Sequence, residues 1–146
     1  MASDQPKVSK LFIDSSVLMA ASISSTGFAR DLIIRAINNK FKIVVSDLVL
    51  EETVRNLANK ASEALPVLQL FLETLNPEVV SPTKSLVVKV SKVIELKDAP
   101  IVAGAIVAKV DYLVSFDRKH LLQYTKVIKE NFKIKVVTPD EIIKGA

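Results

Sequence analysis

Four acidic residues stand apart along the chain, each at the end or start of a predicted secondary-structure element. Asp14 closes the apolar run LFID, Asp117 follows YLVS, Asp98 opens DAPIVAGAIVAK, and Glu52 lies on a helix predicted after FKIVVSD. In a parallel α/β sheet, strand C-termini and helix N-termini share one edge, and ligands bind there. Carboxylates gathered at that edge repel one another unless a cation joins them, and oxygen-rich clusters select hard ions such as Mg²⁺ or Mn²⁺. The pattern therefore indicates metal-assisted phosphodiester chemistry.

Each acid also has a purely structural explanation. Asp14, Asp98 and Asp117 precede predicted helices, where an Asp side chain accepts the free amide N–H groups of the first turn. Glu52 fits a solvated helix residue. For any single acid the structural explanation is the commoner one, but it does not account for their placement at one edge of one sheet.

The elements that must position these acids alternate between strands and helices. Strands are predicted at residues 10–14, 41–45, 78–80, 112–115 and 134–137. Helices are predicted at 15–23, 26–39, from Ser46 or Asp47 to about 60, 65–75, 86–96, 98–109 and, as short segments, 118–131. Thr138-Pro139-Asp140-Glu141 has the pattern of a capping box that starts a terminal helix. This alternation predicts a three-layer α/β/α fold with a central parallel sheet of four to five strands.

Length and composition predict one domain. A chain of 146 residues suits a single unit over residues 10–146, preceded by a flexible tail at 1–9. The apolar fraction of 49% and the mean hydropathy of +0.33 are high. They fit either an apolar face buried in an oligomer or a sheet whose central strands are apolar on both faces.

Several classes of protein are excluded or disfavoured. Cysteine is absent, which excludes disulfides, thiolate zinc sites and a cysteine nucleophile. The three glycines are far apart and form no P-loop or dinucleotide fingerprint. The single histidine, His120, cannot build a multi-histidine metal site, and no G-x-S-x-G nucleophile elbow occurs.

Charge and hydropathy bear on partners and location. The net charge of +4 favours a polyanionic partner, although a mild excess also fits a solvated basic surface. The longest apolar run, residues 99–108, is about half the length that a bilayer requires. The polar N-terminus has no apolar signal segment, so we expect a cytoplasmic protein without a membrane partner.

Four short motifs, in order, resemble those of the PIN-domain family, whose nucleases include many toxins of toxin–antitoxin pairs. They are LFIDSSVL, VVSDLVLEETVRNL, KDAPIVAGAI and VDYLVSFDRKHLL. The similarity spans roughly residues 10–138. It implies that Asp14, Glu52, Asp98 and Asp117 are the catalytic, metal-binding acids of an Mg²⁺- or Mn²⁺-dependent endoribonuclease. It also implies RNA as the substrate, an antitoxin protein as a partner and frequent homodimers.

The resemblance extends to residues beside the acids. Ser115 matches the family's small hydroxyl residue near the metal, and Ser15, next to the first acid, is suited to position that acid or a phosphate. Both serines are assigned to substrate positioning, together with Lys119 and His120. Arg118, Lys119 and His120 follow Asp117, where some members carry a further acid. The second metal site is therefore expected to be weaker, and Lys119 and His120 either contact the RNA backbone or are exposed turn residues.

Adjacent glutamates leave the second acid open. An apolar stripe places Glu51 nearer the buried face of its helix and Glu52 nearly opposite; the stripe consists of Leu50, Val54, Leu57, Ala58 and Ala61. The six-residue offset from Ser46 favours Glu52, which we assign.

Two further interpretations compete with the nuclease. The first is a catalytically weak or inactive PIN-like scaffold or RNA-binding protein with a vestigial site. The second is a flavodoxin-like signalling domain. It would need two adjacent acids after the first strand region and a lysine after the last strand, and neither is evident.

Overall fold

The computed structural model describes residues 8–117 and 121–145. The strands among them are β1 (Ser9–Ile13), β2 (Phe41–Ser46), β3 (Glu78–Val80), β4 (Tyr112–Val114) and β5 (Lys135–Val137). The α-helices are α1 (Ser15–Ile23), α2 (Phe28–Ile37), α3 (Asp47–Lys60), α4 (Leu65–Leu75), α5 (Lys84–Val90), α6 (Ala99–Ala108), α7 (Thr125–Phe132) and α8 (Pro139–Ile143). Short 3₁₀ turns precede α4 and α7.

The five strands form one parallel sheet in the order β3-β2-β1-β4-β5. The central strand pairs with both neighbours: Leu11 lies opposite Ile43 of β2 and opposite Tyr112 of β4. The predicted α/β fold with a parallel sheet of four to five strands is confirmed. The chain moves outward from β1 to β2 and β3, then returns through α6 to the other side of β1.

The core lies on the central strand. Leu11, Phe12 and Ile13 of β1 are all fully buried. A parallel strand covered on both faces is expected to be a continuous apolar run, in contrast to the alternating pattern of a half-exposed strand. A two-sided core therefore accounts for much of the high hydropathy; an oligomeric face remains a prediction.

Several element boundaries differ from those predicted, most of them by one or two residues. The first strand begins at Ser9, one residue inside the segment predicted as a tail; most of that segment lies outside the described residues. The helix predicted at 86–96 instead runs from Lys84 to Val90, because the Thr83 hydroxyl accepts the Leu86 N–H at 3.2 Å and starts the helix earlier. Turns occupy the stretch after Ser91.

In the described ranges, no single helix is both long and apolar enough to cross a bilayer. The pair Ser15–Ile23 and Phe28–Ile37 meets the length and composition criteria only when taken together, across a bend of 94°.

Helix α6 packs closely on the sheet through a glycine. A Cβ on Gly104 would lie 3.0 Å from Cε2 and 3.1 Å from Cζ of Phe12, and 3.6 Å from Cβ of Ser46. The absent side chain lets the helix approach β1 and the end of β2 directly.

Candidate active site

Buried polar side chains mark the carboxyl edge of the sheet. Asp14 follows β1, Ser46 ends β2, Ser115 follows β4 and Thr138 follows β5. All four residues are buried. Because the strands are parallel, their carboxyl ends lie at a common edge, and the polar residues collect there as expected.

Asp14 caps helix α1. Its Oδ1 atom accepts the backbone N–H groups of Ser16 at 3.0 Å and Val17 at 3.4 Å, and the Ser16 hydroxyl at 2.5 Å. The structural role expected of an N-cap aspartate is therefore present. Capping uses the Oδ1 atom of Asp14 and leaves the Oδ2 atom facing the segment that follows β4.

A pair of serine hydroxyls ties Asp14 to the segment after β4. The Ser115 hydroxyl donates to Asp14 Oδ2 at 2.5 Å and accepts the Asp117 N–H at 2.9 Å. The Ser16 hydroxyl donates to Asp14 Oδ1 and accepts the Phe116 N–H at 3.1 Å. Both oxygens of the buried carboxylate are thereby held in place, and the chain on either side of Phe116 is fixed to it.

The environment of Asp14 disfavours its charge. Burial raises the pKa of the carboxyl group above its ordinary value, and the hydrogen bonds from Ser115, Ser16 and Val17 oppose that rise without cancelling it. A cation beside the carboxylate would favour the ionised form and offset the cost of burial.

Asp98 occupies the N-cap position of α6 and is buried, with its Oδ2 atom shielded from solvent. Among the described contacts its side chain makes no capping hydrogen bond to the helix, so the simple capping explanation does not apply. The other end of α6 lies at the amino edge of the sheet, because Lys10 Nζ donates to the Ala108 carbonyl at 2.7 Å. Asp98 therefore lies toward the carboxyl edge, on the side of Asp14.

The buried face of α3 differs from the predicted stripe. It consists of Val49, Thr53 and Leu57, whereas Val54, expected inside, is 46% exposed. A threonine can be buried at this position because its hydroxyl donates to the Val49 carbonyl at 2.7 Å. The polar group of Thr53 is thereby satisfied within the helix. A stripe drawn only through apolar residues missed this threonine.

This correction changes the relation of the two glutamates to the core. Glu51 is exposed and Glu52 is half-buried, the reverse of what the predicted stripe gave. At 3.6 residues per turn, Glu52 flanks the face that carries Val49 and Thr53, and Glu51 lies on the far side. The burial pattern thus agrees with the choice of Glu52, whose role remains a prediction.

The remaining predicted positions fall into two groups. Asp117 is half-buried after β4, and Ser15 is half-buried as the first residue of α1. Lys119 and His120 lie outside the described residues, so their predicted roles are unaffected by the structure.

The residue that donates hydrogen bonds to Asp14 at the start of α1 is Ser16, and the positioning role expected of Ser15 stays a prediction. An N-cap side chain accepts from the second or third helical residue, and Ser16 is the second. The rule accounts for the Ser16 backbone N–H, and the Ser16 hydroxyl adds a second hydrogen bond to the same oxygen.

The candidate metal ligands at this edge are all carboxylate or hydroxyl oxygens, which are the ligands that hard divalent ions prefer. In residues 8–117 and 121–145, however, no group of three or more Asp, Glu or His side chains is placed to hold a metal ion. The joint binding of metal by Asp14, Glu52, Asp98 and Asp117 therefore stays a prediction. Asp14 and Asp98 are the two acids buried at this edge.

Comparisons with known proteins agree with this architecture. The family model described as PIN domain matches residues 10–119. The solved structure of PAE2754 from Pyrobaculum aerophilum is similar at a TM-score of 0.67 and 19% identity, covering 96% of each chain. VapBC2 from Rickettsia felis, solved bound to a DNA fragment from its promoter, gives 0.63 at 16% identity, over 88% of this chain and 98% of that one.

A third solved structure is VapC20 from Mycobacterium tuberculosis, described as a Sarcin-Ricin loop cleaving toxin. It gives a TM-score of 0.55 at 17% identity, covering 75% of this chain and 91% of that one. No curated protein gave a significant match. Because the family model covers most of the sequence, the chain belongs to the PIN-domain family.

Proposed function

We propose that the chain is a metal-dependent endoribonuclease that hydrolyses RNA phosphodiester bonds. The observation that carries the proposal is the buried Asp14 carboxylate, held by Ser16 and Ser115 between β1 and β4 on the side where α6 begins with Asp98. Burying a carboxylate whose pKa is raised costs stability. A chemical role for that charge explains why the fold retains it.

The residues take distinct roles in this proposal. Asp14 and Asp98 would hold Mg²⁺ or Mn²⁺, with Asp117 and Glu52 completing the acidic set. When bound, the metal would lower the pKa of a coordinated water and stabilise charge on the phosphate oxygens. Ser115 and Ser16 fix the orientation of Asp14, and the positive end of the α6 dipole at Asp98 offsets part of the repulsion between carboxylates.

Ser15, Lys119 and His120 are proposed to position the substrate phosphate. The net charge of +4 supports a polyanionic substrate, and the neighbour described as a Sarcin-Ricin loop cleaving toxin supports RNA as its class.

The proposed setting is that of a cytoplasmic toxin with an antitoxin partner. Similarity to VapBC2 supports it. Several large apolar side chains are exposed, notably Leu70, which is 60% exposed, and Val79, which is 51% exposed. A partner protein or a second copy in a homodimer would cover them.

The direct test is cleavage of labelled single-stranded RNA with Mg²⁺, with Mn²⁺ or with chelator. We expect Asp14→Asn and Asp98→Asn to abolish cleavage, because each removes a buried carboxylate, while circular dichroism stays that of the wild type. Glu63→Gln is the matched control, since Glu63 is exposed. Cleavage by the Asp14→Asn, Asp98→Asn double variant in chelator would refute the mechanism.

The second candidate is an inactive PIN-like scaffold or RNA-binding protein. The observation in its favour is that the described residues bring no three acidic or histidine side chains together around one ion site. Calorimetry with Mn²⁺ separates the two candidates: binding that disappears in Asp14→Asn supports the nuclease, and no heat of binding at millimolar metal supports the scaffold.

A further inference from the structure

Phe116 presents an aromatic ring to solvent in the middle of the polar site. Its neighbours are Ser115, which is fully buried, and Asp117, which is half-buried, whereas Phe116 itself is 40% exposed. An exposed aromatic side chain between two proposed site residues is not explained by packing of the core.

The backbone that carries this ring is held on both sides. The Phe116 N–H donates to the Ser16 hydroxyl at 3.1 Å, and the Asp117 N–H donates to the Ser115 hydroxyl at 2.9 Å. Both hydroxyls donate in turn to Asp14. Two hydrogen bonds through the Ser16 hydroxyl therefore connect the Phe116 backbone to the buried carboxylate, which couples its position to that of Asp14.

Other aromatic rings of the molecule have structural partners. Phe12 is buried beneath α6, and the Arg30 guanidinium lies over the ring of Phe71 at 5.0 Å. Phe28 is as exposed as Phe116, at 42%, but the Lys144 ammonium lies over its ring at 5.3 Å. Phe28 is thus a matched reference for exposure, on a different element.

We propose that Phe116 is a stacking platform for a base of single-stranded RNA next to the phosphate that is cleaved. The inference rests on the proposed function, because it takes RNA as the substrate. Every base has a π face, so an aromatic ring fixed beside the acids would align the backbone without demanding one sequence. Phe116 is in this sense a positioning residue.

Binding can be tested with a single fluorescent reporter. The chain contains no tryptophan, so Phe116→Trp introduces a unique indole, and Phe28→Trp supplies the exposure-matched control. Both are prepared with Asp98→Asn to prevent cleavage. We expect oligoadenylate to quench the indole of Phe116→Trp strongly and that of Phe28→Trp weakly.

An abasic oligonucleotide with the same phosphates separates stacking from charge attraction. We expect it to leave the fluorescence of Phe116→Trp unquenched, because it offers no base to stack on the indole. Equal quenching by the abasic strand, or no quenching by oligoadenylate, would overturn the proposal.

Kinetics supply the second test. Phe116→Ala and Phe116→Leu should raise KM about 5- to 150-fold, the factor that corresponds to about 1–3 kcal/mol of stacking per base, with a smaller change in kcat. Phe116→Tyr should stay near the wild type. Leucine keeps the apolar character but not the π face, so a wild-type KM in Phe116→Leu would mean that the ring is an apolar protein contact and not a base platform.

The two proposals fail in different ways. A wild-type chain that cleaves no RNA would count against the proposed function, and the fluorescence experiment would still decide whether a base stacks on position 116. An active wild type with unchanged KM in Phe116→Ala would reject the stacking role alone.

Discussion

Asp14 stabilises the fold by capping a helix and destabilises it by burying a charge. As an N-cap it accepts the backbone N–H groups of Ser16 and Val17, which favours helix α1. As a buried carboxyl group it has a raised pKa, so ionisation at neutral pH works against the fold. An asparagine would keep the capping oxygen and lose the charge, and the Ser115 hydroxyl can rotate to accept its amide proton.

We therefore expect Asp14→Asn to be more stable than the wild type at neutral pH in chelator. The folded pKa of Asp14 lies above the ordinary 3.8, so the folded state holds the proton more tightly than the unfolded state. Wild-type stability then falls as pH rises through the interval between the two pKa values, and the loss persists above it. Urea unfolding of both proteins from about pH 4 to pH 8 measures this difference.

The exposed Glu63→Gln variant controls for charge removal alone. A stability difference between Asp14→Asn and the wild type that stays constant with pH, or one that favours the wild type at neutral pH, would contradict this account of Asp14.

At the scale of elements, α6 connects the core to the site. Its middle packs closely on β1 because Gly104 has no side chain, and Asp98 is its N-cap residue. Any change in the distance between helix and sheet should therefore be transmitted to the buried acid at the helix N-terminus.

Gly104→Ala tests this coupling. Alanine gains up to about 1 kcal/mol of helix propensity, but its Cβ would lie 3.0 Å from the fully buried Phe12 ring, and overpacking costs about 1–3 kcal/mol. We expect a net loss of about 1 kcal/mol in the free energy of unfolding, measured in urea, together with reduced cleavage.

Adding Phe12→Leu should make Gly104→Ala less costly than it is in the wild type, because the smaller residue gives the new methyl group room; a double-mutant cycle reports this coupling. Additive effects of the two substitutions would show that the alanine acts elsewhere.

Local sequence patterns predict the helices and strands more accurately than they predict the site. Helix α4 and strand β3 have the predicted bounds, because their apolar residues and nearby prolines act within a few positions. The capping box at Thr138 is also confirmed, with Thr138 N–H donating to Glu141 at 3.2 Å. Such features depend on neighbours in the chain and need no knowledge of the tertiary fold.

The site was predicted less completely, since its contacts join distant segments. Asp14 and Ser115 were both singled out, but no local pattern contains the hydrogen bond between them. Thr53 was missed on α3 because it buries a hydroxyl that the helix itself satisfies. The sequence does not mark Phe116 as a site residue, because the serine and the aspartate of VSFD carry the resemblance and an apolar residue between them fits the end of a strand.

For the whole molecule, a bound metal should act as a stabiliser. An ion that binds only the folded chain raises the free energy of unfolding by about 2.7 kcal/mol at one hundred times its Kd. We expect Mg²⁺ or Mn²⁺ to raise the Tm of the wild type and of Glu63→Gln, and to leave Asp14→Asn and Asp98→Asn almost unchanged. An equal rise in all four proteins would place the ion elsewhere.

The hydrogen bond from Ser115 to Asp14 spans 101 positions of the chain. A ribosome must therefore translate past β4 before the first aspartate meets its partner, and a nascent chain that stops earlier carries only part of the pocket. On the proposed function, we expect the chain to have no nuclease activity until β4 has been translated. We expect chains that end before residue 115 to be inactive, and two co-expressed halves divided between β3 and α5 to be active only when they associate.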